Sequence, residues 1–574
     1  MKRPFYYLAA AAFALAPMLV QAAQIPVNVT LNVNLTPEVL AELGKLGTVN
    51  LQFPRLRGVT MTISDTKLAA LNNLAIVDEA VEDANILLSD EEETARGVNN
   101  VSSDTTDTTA AGTTTTDPVD ASALGLNVAD FSQGICAPSL DAMNLMEAGT
   151  TVRNTPYTGD GVYVAVIDHG LHKNWRAYYP EERIASDFAI AIEGGGALGA
   201  GNFSTPQNRW ELSNAAHGNV ITSAIIGYAL RTGEGCEFDP ISSLLVCQKN
   251  ADSDVIPVNG VAPKAKIIPV RLGGRGAGNL IGNLADNDNN NWSSYVSILT
   301  QAVTYITDLK QPGQPLEHSP VVISLSQGFL NRDPLLERAI DEAVRLNIPV
   351  VAAAGNEHLT GMIYPGSYSP VISVGGASWT KMVNPIDPSL PGTADNVDWD
   401  SLFGDVADGE SRFDEIVMYA DSSVELAGQD LDIIAPCFGL VAAQATAQGQ
   451  YMYTWPNGFT SFSTPRAAGL VALMLEKNPY LTPAQIEQIL EDNATPLPAA
   501  GSAVYYQNGL VTTSQFGAAP KTTTWFDEAN KRKTGHGFTE ADRILDATPL
   551  PTYEPVLEYL EDLAHEVIDS VHLF

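Results

Sequence analysis

The sequence predicts an open, mostly parallel α/β sheet, and three observations carry that prediction. Continuous apolar runs recur at 162–167, 267–270, 321–325, 348–354 and 371–374. Amphipathic helical patterns separate several of them, at 294–309, 333–346 and 482–494. Strands that are apolar on both faces and alternate with helices are buried between helical layers. Finally, reactive residue types such as Asp168 and Asn356 stand where apolar runs give out, and in sheets of this kind functional groups gather at the carboxyl ends of strands. The domain is expected to span residues 127–548.

The chain ahead of it divides into three. Met1-Lys2-Arg3, an apolar run from Phe5 to Val20 and small residues at Ala22-Ala23 read as a secretory signal over 1–23, with an extracellular or periplasmic protein as the consequence. A retained anchor is the competing reading, and the shortness of the run and Pro17 argue against it. Residues 24–86 show the order β-α-β-β-α-β, a small ferredoxin-like α+β domain. Ile25 to Leu35 alternates apolar and polar, and Thr36-Pro37 opens a helix with Val39, Leu40, Leu43 and Leu46 on one face. Strands around 51–53 and 59–63, a helix over 65–74 and a strand over 75–81 complete it. Residues 87–126 are acidic and rich in Thr and Ser, a linker that cannot build a core. A small domain on such a linker is the layout of a zymogen, and equally of a tethered binding module. At the other end, 549–574 form a helical tail with Val556, Leu560, Leu563, Val567 and Val571 on one face.

The 31 Lys+Arg against 67 Asp+Glu give a net charge of -36, which excludes nucleic acid and anionic membrane as partners. Export permits disulfides, and the four cysteines allow three pairings. Cys236 with Cys247 closes a loop of about a dozen residues, worth roughly 2–3 kcal/mol, and leaves Cys136 to pair with Cys437.

Four side chains carry the chemistry. Ser461 opens a run of small and then apolar residues from Thr460 to Lys477, a tightly packed helix whose positive end favours developing negative charge. Asp168 closes the apolar run that ends Val166-Ile-Asp168, where a carboxylate needs a partner for its charge. His217 stands at a loop-to-helix entry, and Asn356 where the run Val350 to Ala354 meets Gly355. Each has a plain alternative: a helix cap at Thr460 or Ser461, a turn aspartate, a structural histidine, a turn asparagine. Together they are a nucleophile, a base, an orienting carboxylate and an amide donor, the set acyl transfer needs.

Val166-Ile-Asp-His-Gly170, His217-Gly218, Gly260-Val-Ala-Pro263, Ile323-Ser-Leu-Ser-Gln-Gly328, Ala352-Ala-Ala-Gly-Asn356, Tyr364-Pro-Gly366, Ile434-Ala-Pro436 and Thr460-Ser-Phe-Ser-Thr-Pro465 resemble, in that order, the motifs of the subtilisin-like serine proteases. The resemblance implies a three-layer fold with seven parallel strands, and endopeptidase activity on polypeptides without a cofactor. It casts Asp168, His217 and Ser461 as the triad and Asn356 as the oxyanion donor, in the chain order of subtilisin. Ser324, Leu325, Ser326, Gln327 and Gly328 would pair with substrate as a strand, and Ala353, Ala354 and Gly355 would line the pocket. It makes 24–86 an inhibitory propeptide, the protein's own first partner, and the mature enzyme a monomer. Three departures stand out: Phe459 where the family writes glycine, Asn219 after His217-Gly218, and His169 after Asp168.

Structural calcium, common in that family, has candidate loops at 286–291 and at Asp395, Asp398, Asp400, Asp405, Asp408 and Glu410, though solvated loops explain them equally well. Two rival readings remain: a catalytically impaired protein that binds extended peptides in the same cleft, and an acid-active serine-carboxyl peptidase. His217 and Asn356 argue against the second.

Overall fold

The computed structural model describes residues 23–86, 131–193, 202–203, 210–212, 216–232, 236–239, 244–248, 254–273, 295–382, 404–445, 450–454, 456–498, 501–505, 521–525 and 533–551. The expected export signal, the acidic linker, the 286–291 loop, Asp395, Asp398, Asp400 and the tail helix lie outside these residues.

Residues 24–82 form strand Gln24–Leu31, helix Pro37–Leu43, strands Gly47–Phe53 and Gly58–Ser64, helix Leu68–Asn72 and strand Val77–Glu82. All strand pairs are antiparallel, with Gly58–Ser64 and Val77–Glu82 on either side of Gln24–Leu31. Alternate residues Val27, Val29 and Leu31 join Val59, Met61 and Ile63 under Leu43 and Leu71 in a core of their own. Thr36 caps the first helix by accepting from the Val39 N–H at 3.4 Å, and Pro37 takes the position where its missing N–H costs nothing.

The large sheet has seven parallel strands, in spatial order Ile190–Glu193, Lys266–Gly273, Tyr163–Asp168, Val321–Leu325, Val350–Ala353, Ile372–Trp379 and Ile433–Pro436. Asn202–Phe203 and Ile416–Met418 add antiparallel partners at the flanks. Period-2 alternation sorts its side chains between two helical layers. Val164, Val166, Val322 and Val351 face the core of helices Ala216–Ile226 and Thr460–Lys477. Ala165, Ile167, Ile323 and Val350 face that of helices Val296–Leu309 and Pro334–Arg345. This is the three-layer α/β architecture expected.

The small sheet rests on the second helical pair. Phe53, Leu56 and Ile86 enter its core. Buried Asn28 donates to Asp83 at 3.1 Å and to Asp333 at 2.7 Å. Asp333 caps helix Pro334–Arg345 by accepting from the Leu335 and Leu336 N–H groups, and Asp83 accepts from the Ser297 N–H and hydroxyl on the neighbouring helix. Arg338 donates to the carbonyls of Leu31, Leu56 and Arg57.

One expected disulfide forms and the other does not. Cys236 and Cys247 face each other across an antiparallel pair and are bonded. Cys136 and Cys437 are both buried and neither is in a disulfide, which corrects the expectation of a second bridge. Each donates instead to a nearby carbonyl, Cys136 to Ala137 at 3.3 Å and Cys437 to Ala377 at 3.0 Å. The second pairing assumed that every cysteine is in a disulfide, whereas here a buried setting and a carbonyl acceptor suit each thiol.

Candidate active site

Asp168 is the last residue of strand Tyr163–Asp168, and the chain turns at once through Gly170, at φ +80°. The helix carrying His217 presses against that turn: a Cβ on Gly218 would lie 1.8 Å from the Gly170 carbonyl oxygen. Only glycine permits this approach, and it brings the imidazole to the carboxylate. His217 Nδ1 lies 3.0 Å from Asp168 Oδ1 and 2.9 Å from Oδ2. The carboxylate is 2 % exposed and also accepts the His169 N–H at 2.6 Å. Burial alone would push the Asp168 carboxyl up; the charge and hydrogen bond of His217, with the charge and N–H of His169, outweigh it and hold it below its ordinary value.

Ser461 sits on the first turn of helix Thr460–Lys477, which packs against the His217 helix. Pro465, four residues on, has no N–H to give the Ser461 carbonyl. The Ser326 hydroxyl fills that vacancy, donating to it at 3.0 Å, so the segment after strand Val321–Leu325 is tied to the backbone of Ser461. Neither Thr460 nor Ser461 caps this helix. The cap position is Phe459, whose side chain makes no capping bond. The cap comes from Asn356, whose Oδ1 accepts from the Thr460 N–H at 3.0 Å and its hydroxyl at 3.1 Å. A backbone N–H can only donate, so the Asn356 oxygen faces the helix and its NH₂ is the group left for other work.

Phe459 keeps a backbone that glycine would adopt freely, with φ +76°. Its ring packs on Tyr419 at 5.7 Å and Phe462 at 6.2 Å, and Phe462 is the ring that faces His217, at 6.4 Å. Aromatic packing holds in place a conformation that costs a non-glycine residue on the order of 1–3 kcal/mol.

A cleft opens here, lined by Ser326, Gln327, Gly328, Ala353, Gly355 and Asn356 together with His217 and Thr460. Ser324 and Leu325 do not reach it. They pair with Val351 and Ala352 inside the sheet and are 1 % and 0 % exposed. Ala354 is likewise buried, in a small cluster with Met362 and Leu431. The wall also holds His169, and with it Glu357 and Ile363, two residues that motif reading did not assign. Glu357 directly follows Asn356 and accepts the Asn356 N–H at 2.7 Å, so its place beside that candidate was a signal in plain sight. His169 follows the strand end, where alternation no longer decides which way a side chain points.

The sequence profile of the subtilase family matches residues 159–537. Subtilisin E of Bacillus subtilis (strain 168) is 25% identical over 359 residues, 62% of this chain and 65% of its own length. Subtilisin of Bacillus pumilus is 26% identical over 359 residues, covering 62% of this chain and 90% of that protein. The solved fervidolysin of Fervidobacterium pennivorans, a keratinolytic enzyme related to subtilisin, aligns with a TM-score of 0.48 at 17% identity, over 93% of this chain and 62% of that one. The chain thus spans about two thirds of the length of subtilisin E, and the profile match takes in every strand of the parallel sheet and all four candidate side chains. This protein belongs to the subtilase family.

Proposed function

We propose that the protein is a secreted serine endopeptidase made as a self-processing zymogen. The observation that carries this reading is the His217 imidazole held across both oxygens of buried Asp168, on a helix packed against the helix that bears Ser461. In this mechanism the Ser461 hydroxyl attacks the scissile carbonyl and His217 takes its proton. Asp168 holds the Nδ1–H and stabilises the imidazolium, while the Asn356 NH₂ and the helix N-terminus stabilise the oxyanion. His217 then returns the proton to the leaving amine, and water attacks the acyl-enzyme with the same base. The chemistry uses no cofactor, and the loop carrying Asp405 and Asp408 remains a candidate for structural calcium.

Residues 24–86 act as the propeptide in this reading. Their docking on two surface helices through Asn28, Asp83 and Arg338 supports it, as does the 87–126 linker that separates them from the rest. Processing falls between 87 and 135, and the product is a monomer that acts on polypeptides outside the cytoplasm. Among the described residues no helix is long and apolar enough to cross a membrane.

A fluorophosphonate probe is expected to label Ser461, and Ser461→Ala to abolish both labelling and peptide hydrolysis while circular dichroism stays unchanged. The same variant should keep its N-terminal domain, seen by N-terminal sequencing. Hydrolysis by Ser461→Ala at the parental rate would remove the nucleophile from this scheme, and a well-folded parent that neither labels nor cleaves would be a peptide binder.

A further inference from the structure

We propose that Asp168, His169 and His217 form a binding site for a zinc-class divalent cation, and that occupancy of this site stops the proposed proton relay. One ligand atom from each residue lies within 4.8 Å of the other two. The His169 and His217 rings are 5.7 Å apart between centroids, and both line the cleft, so a cation has an entry path. Zinc holds nitrogen and oxygen ligands at about 2.0–2.2 Å, which puts two of them about 3.3 Å apart across a tetrahedral ion. The Asp168–His217 pair already sits inside that separation at 2.9 Å, and His169 has to draw in from within 4.8 Å. Two imidazoles and one carboxylate, with a fourth position open to the cleft for water, is the donor set of an open zinc site. It is the wrong set for calcium, which needs six to eight oxygens.

The consequence for the relay follows from the imidazole having two nitrogens. With the metal on Nε2, the lone pair that would accept the serine proton is occupied. With the metal on Nδ1, Nε2 carries the remaining hydrogen and can only donate. Asp168, drawn to the cation, stops orienting the ring in either case. The inhibitory half of this inference rests on the Asp–His–Ser reading; the binding half does not. His169 is the residue that sets this chain apart, since it occupies one of the three positions where the motifs depart from the family pattern.

Isothermal titration of zinc chloride into full-length Ser461→Ala protein tests binding without turnover. We expect about one ion per chain at this site. His169→Ser in the same background should weaken it by more than the roughly 10–100-fold that loss of an outer-sphere partner costs. Cobalt(II) should give the visible absorption of a four-coordinate site, absent from the His169→Ser protein. If His169→Ser loses its circular dichroism signature, His169→Gln, closer in size, takes its place. With the serine restored, zinc should halt hydrolysis, a chelator should return it, and the His169 variant should need correspondingly more zinc for the same fractional loss. Equal zinc affinity in the parent and the His169 variant overturns the site and points to one of the two other groups among the described residues, Asp430, Glu491 and His536 or Asp432, Glu487 and Glu491. Binding that leaves hydrolysis untouched overturns the regulatory claim. A chain that never hydrolyses peptide counts against the serine-protease reading, and the titration still decides the site.

Discussion

Asn356 is asked to do two things with one amide, and substitution can separate them. Its oxygen caps the serine helix at Thr460 while its NH₂ is the proposed oxyanion donor. Asn356→Ala loses both, and turnover is expected to fall about 10²–10³-fold, the size of the effect known for this donor in subtilisin itself, with about 1 kcal/mol of stability lost with the cap. Asn356→Asp keeps the acceptor and loses the donor, so kcat should fall with little change in thermal midpoint. A variant that melts early but turns over normally would make Asn356 a cap alone. Phe459 poses the opposite problem, a favourable ring on an unfavourable backbone. Phe459→Ala and Phe459→Gly both lose the contacts with Tyr419 and Phe462, but glycine alone relieves φ +76°. The glycine variant should therefore be the more stable of the two, by on the order of 1 kcal/mol. Denaturant titration of the pair checks this, and the reverse order would mean that the backbone strain is negligible.

Among the elements, the contact between the small sheet and helix Pro334–Arg345 should be pH-dependent. Burial lifts the Asp333 carboxyl to about 6, the Asp83 carboxylate across the interface pushes the same way, and hydrogen bonds from Asn28, Leu336 and Leu335 pull against them. A carboxyl raised in the docked state holds its proton more tightly than it would when exposed. Docking is therefore favoured in acid and loses that contribution as pH rises through about 6. Hydrogen exchange in strand Gln24–Leu31 of the Ser461→Ala protein, corrected for intrinsic rates, should show less protection at pH 8 than at pH 5. Asp333→Asn should flatten the difference, and protection that grows with pH would show the sign to be wrong. The Cys236–Cys247 bridge is a second element-level lever, because it pins two strands at directly opposed positions. Replacing both cysteines with serine should lower stability by roughly 2–3 kcal/mol, read from the urea midpoint.

For the whole molecule, one charge distribution serves two needs. A net charge of -36 keeps the chain soluble, and cations are spent where segments distant in sequence meet. Arg338 ties helix Pro334–Arg345 to the small domain through main-chain carbonyls, and buried Arg466 ties the serine helix to the carbonyls of Pro436 and Phe438. Desolvation drives the Arg466 guanidinium down to about 10, still charged at neutral pH. The expected runs at 321–325 and 267–270 became Val321–Leu325 and Lys266–Gly273, and the helix expected over 333–346 became Pro334–Arg345. Such elements are legible because their periodicity and caps are local. The short strands Ile190–Glu193 and Ile416–Met418 went unread because four or fewer apolar residues carry no period of their own, and neighbours in the sheet make them strands.

What the sequence determined alone is the set of local choices: which runs are buried strands, which are amphipathic helices, and which side chains stand at element ends. The order Asp168, His217, Ser461 was also visible there, as was the short-loop bridge. Tertiary structure decided everything that depends on two distant segments meeting. It left Cys136 and Cys437 without a disulfide, put Ser324, Leu325 and Ala354 inside the core rather than in the cleft, and brought Glu357 and His169 to its wall. It also gave the cap of the serine helix to Asn356, 104 residues away. The reason is physical: periodicity says which face of an element is buried, while the partner waiting at that face is set by the packing of the rest of the chain.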